Sequence, residues 1–86
     1  MEETEMPRYS IGFHNTKEML DFVNLANRFE GEIDLKSGVQ VVDGKSLMGV
    51  LAIAERDRME MTIYGEDSQA LLGEMKNIAD VKEIRF

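Results

Sequence analysis

The sequence predicts an α+β fold, a two-layer sandwich of helices on a sheet, in the order β-α-β-β-α-β-α. Three observations predict it. The apolar period switches repeatedly between 2 and 3.6 along the chain. Each segment marked in this way has a single apolar face, so strands and helices must bury one another. The chain has 86 residues, 43% of them hydrophobic, with no internal repeat, linker or low-complexity stretch, so residues 1–86 read as one domain. A chain of this size buries about 60–65% of the surface its unfolded form exposes, enough for one modest core and no deep cleft.

The elements follow in order. Met1–Met6 are polar and expected to fray. Tyr9, Ile11 and Phe13 alternate with Ser10, Gly12 and His14, which is a half-buried strand, and Pro7 stands at its start, where a missing N–H matters little. The alternation puts His14 on the side of Ser10 and Gly12, away from the core. Met19, Phe22, Val23, Ala26 and Phe29 then share one helical face, predicting a helix over about 16–29. Asn15 with Glu18 reads as its N-cap and N3 acid, and Gly31 as its stop. Glu32–Lys36 is the next strand, Ser37-Gly38 a two-residue turn, and Val39–Val42 the returning strand, ended by Asp43-Gly44.

Ser46 reads as a second N-cap, opening a short helix over about 47–53 with Leu47, Val50, Leu51 and Ala54 at helical spacing. Gly49 inside it costs about 1 kcal/mol relative to alanine. Glu55–Arg58 is charged and loop-like. Met59, Met61 and Ile63 alternate with Glu60, Thr62 and Tyr64 as a fourth strand, closed by Gly65. Glu66-Asp67-Ser68 supplies acids and a cap for a third helix, whose apolar face is Leu71, Leu72, Met75, Ile78 and Ala79. Val81–Phe86 fits either a frayed continuation of that helix or a short extra strand.

Composition removes several function classes. Without cysteine there is no disulfide scaffold, thiol chemistry, iron–sulfur cluster or Cys-ligated zinc, and one histidine cannot build a multi-His metal site. Ten basic against 17 acidic residues give a net charge of −7 and a pI near 4.6. That balance opposes direct binding to nucleic acid or to an anionic membrane surface. It leaves open a basic partner protein or a merely solvated acidic surface. No apolar run approaches the roughly 18 residues of a bilayer span, and MEETEMPR does not read as a secretory signal, so a cytoplasmic location is expected. Glu30, Glu32 and Asp34, and Glu55 with Asp57, read as solvated faces. The seven methionines read as core filler. No nucleotide loop, catalytic triad or metal site is visible, and no cofactor is expected.

The run Asn24–Leu35, NLANRFEGEIDL, with Gly44–Val50, GKSLMGV, and the pieces Met61–Tyr64 and Gly65-Glu66-Asp67, resembles the histidine-containing phosphocarrier protein (HPr) family of the bacterial sugar phosphotransferase system. The resemblance covers about residues 15–79. It implies an open-faced sandwich with a four-stranded antiparallel sheet covered on one side by three helices. It also implies a phosphoacceptor, or an interaction module that reuses the fold without being phosphorylated, and not an autonomous enzyme.

In that family a histidine caps the first helix and takes phosphate from phosphoenolpyruvate through Enzyme I, within Gly-Leu-His-Ala-Arg-Pro-Ala. Matching the helix stripe without a gap puts Asn15 at the phosphohistidine position, Lys17 at the arginine and Glu18 at the proline. An amide cannot carry the phosphoryl group, and a carboxylate at N3 would repel it. Three readings stand: a plain helix cap in place of a lost site, a site shifted to His14, or an inert His14 with function elsewhere in the loop.

Ser46 matches the serine that an ATP-dependent HPr kinase phosphorylates in Gram-positive relatives to control carbon catabolite repression. A phosphate at a helix start is compatible with the dipole there, and Leu47, Met48 and Leu51 offer a docking patch for a partner such as a transcriptional regulator. The alternative is that Ser46 is only an N-cap and the apolar residues are core. An amide at Asn15 with a serine at Ser46 is also the combination of the family variant Crh, the catabolite repression HPr-like protein. Lys17 and Glu18 depart from Crh's Arg-Pro pair, and lysine does not reproduce the arginine fork.

Overall fold

The computed structural model describes residues 8–54 and 58–84. Their order is β1 (Arg8–Gly12), α1 (Thr16–Asn27), β2 (Glu32–Ser37), β3 (Gln40–Asp43), α2 (Leu47–Ile53), β4 (Met59–Tyr64), α3 (Ser68–Lys76) and β5 (Asp80–Glu83). Every neighbouring pair of strands is antiparallel, in the sheet order β3-β2-β4-β1-β5. The three helices cover one face, giving the expected open-faced sandwich. The expected frayed end, Pro7, residues 55–57 of the charged loop Glu55–Arg58 and the last two residues lie outside the described residues.

The sheet has five strands, not four. The tail after α3 turns into β5 and takes the outer edge of β1, with Ile11 opposite Val81 and Tyr9 opposite Glu83. Two forces hold it there. Val81 and Ala79 bury into the core, and β5 pairs with backbone groups that would otherwise leave β1 as an open edge. Arg58 reinforces the join. Its Nη1 donates to Asp80 Oδ2 at 2.8 Å, its Nη2 to the carbonyls of Ser10 and Asp80, and its Nε to Ser10 Oγ at 2.6 Å.

Strand register builds the core. Tyr9 lies opposite Met61, Ile11 opposite Met59, Ile33 opposite Ile63 and Leu35 opposite Met61, and all of these side chains are buried. The helices close over them with Phe22, Val23, Leu25 and Ala26 of α1, Val50 and Ile53 of α2, and Leu71, Leu72 and Met75 of α3. Phe13 meets Phe22 edge to face, ring centres 5.3 Å apart. In α2 the stripe is rotated from the expected one. Ile53 is buried whereas Leu51 is 40% exposed.

Three local expectations are revised. The hairpin loop is Gly38-Val39, with Ser37 paired to Gln40, so the returning strand runs one residue later than predicted. Gly38 takes φ 63°, and the first position of a two-residue loop is where glycine relieves that strain. Ser68 is the first residue of α3 and not its cap. Asp67 holds the cap position in a left-handed conformation and makes no side-chain cap bond. Gly31 does not stop α1, which ends at Asn27 with Arg28 as C-cap. Its glycine answers a close approach: a Cβ there would run into the Tyr64 carbonyl oxygen and sit 2.7 Å from Phe29 Cε2.

Candidate functional site

Two helix starts carry the candidate residues. At α1, Asn15 is extended (φ −162°) and its Oδ1 accepts the Glu18 N–H at 2.9 Å. The Glu18 carboxylate folds back one residue further than in a capping box and accepts the His14 backbone N–H at 2.7 Å. His14 Nδ1 lies 3.1 and 3.2 Å from the two carboxylate oxygens. The His14 backbone hydrogen bond, ahead of any other cause, holds the Glu18 carboxyl below the usual carboxylate range. The imidazole itself is exposed, as the strand alternation predicted. Lys17 turns along the helix, its Nζ 2.7 Å from Asp21 Oδ2, and that hydrogen bond raises its pKa. It therefore engages α1 itself instead of reaching over the helix start.

At α2, Ser46 is the N-cap (φ −104°, ψ 113°), and its Oγ accepts the Gly49 N–H at 3.1 Å. Gly49 is where α2 closes on the sheet, since a Cβ there would sit 3.1 Å from Val42 Cβ. The helix-propensity cost of this glycine is thus offset by close packing. The loop before Ser46 is tied to the far end of α1. Asn27 Nδ2 donates to the carbonyls of Val23 and Lys45, and Lys45 Nζ donates to the Phe29 carbonyl at 2.6 Å. These bonds explain why NLANRF and GKS belong together. They also set Asn15 and Ser46 toward opposite ends of α1, whose 12 residues span about 18 Å.

The expected docking residues divide. Met48 is 82% exposed, Leu51 is partly exposed, and Leu47 packs half-buried against the core. Sequence reasoning missed Leu20 on α1, 43% exposed, which adds a further large apolar side chain to the helical layer. Its position beside Met19 but off the buried stripe was the available signal.

The family model for the PTS HPr component phosphorylation site matches residues 11–80. The chain belongs to the HPr family. Solved HPr-like structures share its fold. Phosphocarrier protein HPr from Bacillus anthracis str. Ames superposes with a TM-score of 0.71 at 23% identity, covering 90% of this chain and 100% of that one. HPr-C-His from Thermoanaerobacter tengcongensis gives 0.64 at 19% identity, covering 86% and 89%. The Bacillus subtilis catabolite repression protein Crh, seen as a swapped dimer, gives 0.59 at 23% identity, covering 91% and 86%. No curated protein matches the chain in sequence. HPr-family proteins are phosphocarriers of the phosphotransferase system, and this chain shares their fold. No helix among the described residues is long and apolar enough to cross a membrane.

Proposed function

We propose that this HPr-family protein is a regulatory phosphoprotein and docking module, switched at Ser46, whose ancestral histidine site no longer carries phosphate. The observation that supports it most is the contrast between the two helix starts. At α1 an asparagine amide occupies the cap, and a carboxylate is folded over it. At α2 the cap is a hydroxyl, in a GKSLMGV segment whose packing at Gly49 and Lys45 is intact. A hydroxyl accepts the γ-phosphoryl group of ATP, the bond to the bridging oxygen breaking so that ADP leaves and the hydroxyl proton passes to a base on the kinase, whereas an amide does not. Phosphate on Ser46 adds about two negative charges beside exposed Met48 and Leu51 without requiring α2 to unfold. The partners in this reading are proteins of the phosphotransferase system type: an HPr kinase that writes the mark and a transcriptional regulator that reads it, in the cytoplasm.

The test is phosphate incorporation from ATP by an HPr kinase. One phosphoryl group on the native chain and none on Ser46→Ala is the expected result. Incorporation that survives the substitution, or none on the native chain, overturns the assignment. A second reading, a divergent carrier relaying phosphate through His14, is favoured by the exposure of that imidazole. Intact mass after incubation with Enzyme I and phosphoenolpyruvate separates the two. An unchanged mass is expected, and a gain of one phosphoryl group that His14→Ala removes establishes the relay instead.

A further inference from the structure

The two edges of the sheet are finished differently. β5 closes one side with the exposed, charged Lys82 and Glu83, which discourage further pairing. β3 closes the other, and among the described residues no strand lies beyond it. Its run Val39–Val42 carries no charge and no proline, and its register with β2 is unbroken by a bulge. Val39 is 96% exposed and Val41 57%. Of the five large apolar side chains exposed among the described residues, four (Val39, Val41, Met48 and Leu51) lie on this hairpin and on α2, the helix that meets β3 where Gly49 approaches Val42. The hairpin register decides which backbone groups look outward. A two-residue loop is closed by a hydrogen-bonded pair, here Ser37 with Gln40, and bonded pairs alternate with unbonded ones along an antiparallel ladder. The Gly44 N–H, bonded to the Ile33 carbonyl at 2.7 Å, keeps the same alternation at the far end of the strand. Lys36 and Val41 are therefore an unbonded pair, and the Val41 N–H and carbonyl both point away from β2.

We propose that the β3 edge pairs antiparallel with β3 of a second copy of this chain, about a two-fold axis at Val41, so that two five-stranded sheets join into one. An extended strand is what matches an outward donor and acceptor on one residue together. This strand matches itself. Val41 of each copy donates to and accepts from Val41 of the other, as an isologous contact requires. The same register sets Val39 opposite Asp43, so the two aspartates do not face each other. Charge permits the contact as well. From Lys36 to Val42 the sole charged side chain is Lys36, in a chain of net charge −7, so the hairpin meets a second copy without the repulsion that the rest of the surface imposes. The two-fold keeps both helical layers on one side of the joined sheet, and the two α2 helices, each packed on its own β3, flank the junction. One four-residue strand and part of a seven-residue helix make a patch smaller than the roughly 800 Å² per partner of a stable complex, so the dimer is weak and governed by concentration. The inference does not depend on phosphorylation of Ser46.

The experiment is sedimentation equilibrium of the full chain from about 10 μM to about 1 mM, the range of a weak complex, with backbone amide shifts followed over the same range. The mean mass is expected to climb from one chain toward two, with shifts centred on residues 39–43. Val41→Lys sets like charges opposite each other and loses a β-branched pair, and should weaken association about tenfold. Val41→Pro deletes the outward N–H without removing a bond to β2, so it tests the same contact through the backbone and should weaken association as much. It decides the matter if the lysine variant loses its fold by circular dichroism. Leu20→Lys, on α1, should leave association unchanged. A one-chain mass at every concentration overturns the proposal and leaves the edge to a strand of another protein. A dimer that survives both Val41 substitutions, as one made by exchange of strands would, also overturns it. So does equal weakening by Leu20→Lys.

Discussion

Replacing Ser46 tests its structural and regulatory roles at once, and the structure sets the size of the structural part. Ser46 Oγ accepts the Gly49 N–H at 3.1 Å, toward the long end of the N–H···O range. Both residues are only half-buried, so water can reach the Gly49 N–H once the hydroxyl is gone, and the full penalty of a buried orphan donor does not apply. The Ser46 carbonyl still accepts the Val50 N–H at 2.9 Å. Ser46→Ala should therefore cost about 1 kcal/mol, the middle of the range for a lost N-cap. In a domain of this size that is a fall of about 4–8 °C in Tm. Ser46→Asp restores a cap oxygen and should stay within about 0.5 kcal/mol of native. Ser46→Gly lacks the hydroxyl but should lose only a few tenths of a kcal/mol, about 0.3. Urea unfolding followed by far-UV circular dichroism measures all three. Ser46→Ala indistinguishable from native would refute the capping account. Ser46→Asp falling below Ser46→Ala would refute the claim that negative charge is compatible with this helix start. The glycine variant then serves the phosphorylation assay, because it removes the acceptor with little loss of fold.

Three further outcomes follow from packing and charge. Gly31→Ala sets a Cβ against the Tyr64 carbonyl, a backbone atom that cannot swing aside. A loss of about 3 kcal/mol, the upper end for overpacking, is expected in urea unfolding, and a loss under 1 would show that α1 and β4 are looser than described. Arg58→Ala removes the guanidinium that joins β1 to β5. Hydrogen exchange should quicken at the β5 amides and at Ile84, whose N–H bonds to the Arg8 carbonyl, while the β2–β4 amides keep their protection; uniform loss across the sheet contradicts the assignment. The carboxyls of Glu18 and Asp80 are both held below their usual range, by the His14 backbone hydrogen bond and the Arg58 hydrogen bond respectively. The unfolded chain thus binds more protons in acid, and the stability these groups contribute is present above about pH 4.5 and lost as pH falls through their folded values. The Glu18→Gln, Asp80→Asn double variant should show a shallower fall in urea midpoint below that pH, and an unchanged slope would remove both groups from the acid response.

Much of the candidate site was legible because helix caps are local. Asn15 and Glu18 are three residues apart, as are Ser46 and Gly49, and each pair meets through the geometry of one helical turn. The direction of the Glu18 carboxylate was not legible. It bonds the His14 N–H instead of that of Asn15, which depends on how the chain leaves β1. Nor was the division of the apolar residues on α2, because a seven-residue helix with an apolar residue at most positions has no unambiguous stripe. Which of Leu51 and Ile53 is buried depends on how α2 is set against β3 at Gly49.

By itself the sequence determined the order of the elements up to α3, the bounds of α2 and β4, the two cap residues and the exposure of His14. These rest on periodicity and on contacts within one turn, which are written in neighbouring residues. Tertiary structure alone decided the fifth strand, the purpose of Gly31, the tie from Lys45 to the end of α1 and the anchoring of β5 by Arg58. Each depends on groups far apart in the chain, Arg8 with Ile84 or Gly31 with Tyr64, and such pairs meet only once the core has brought the sheet together. A tail with one buried valine is too short to declare its own period. It becomes a strand because β1 offers an unpaired edge.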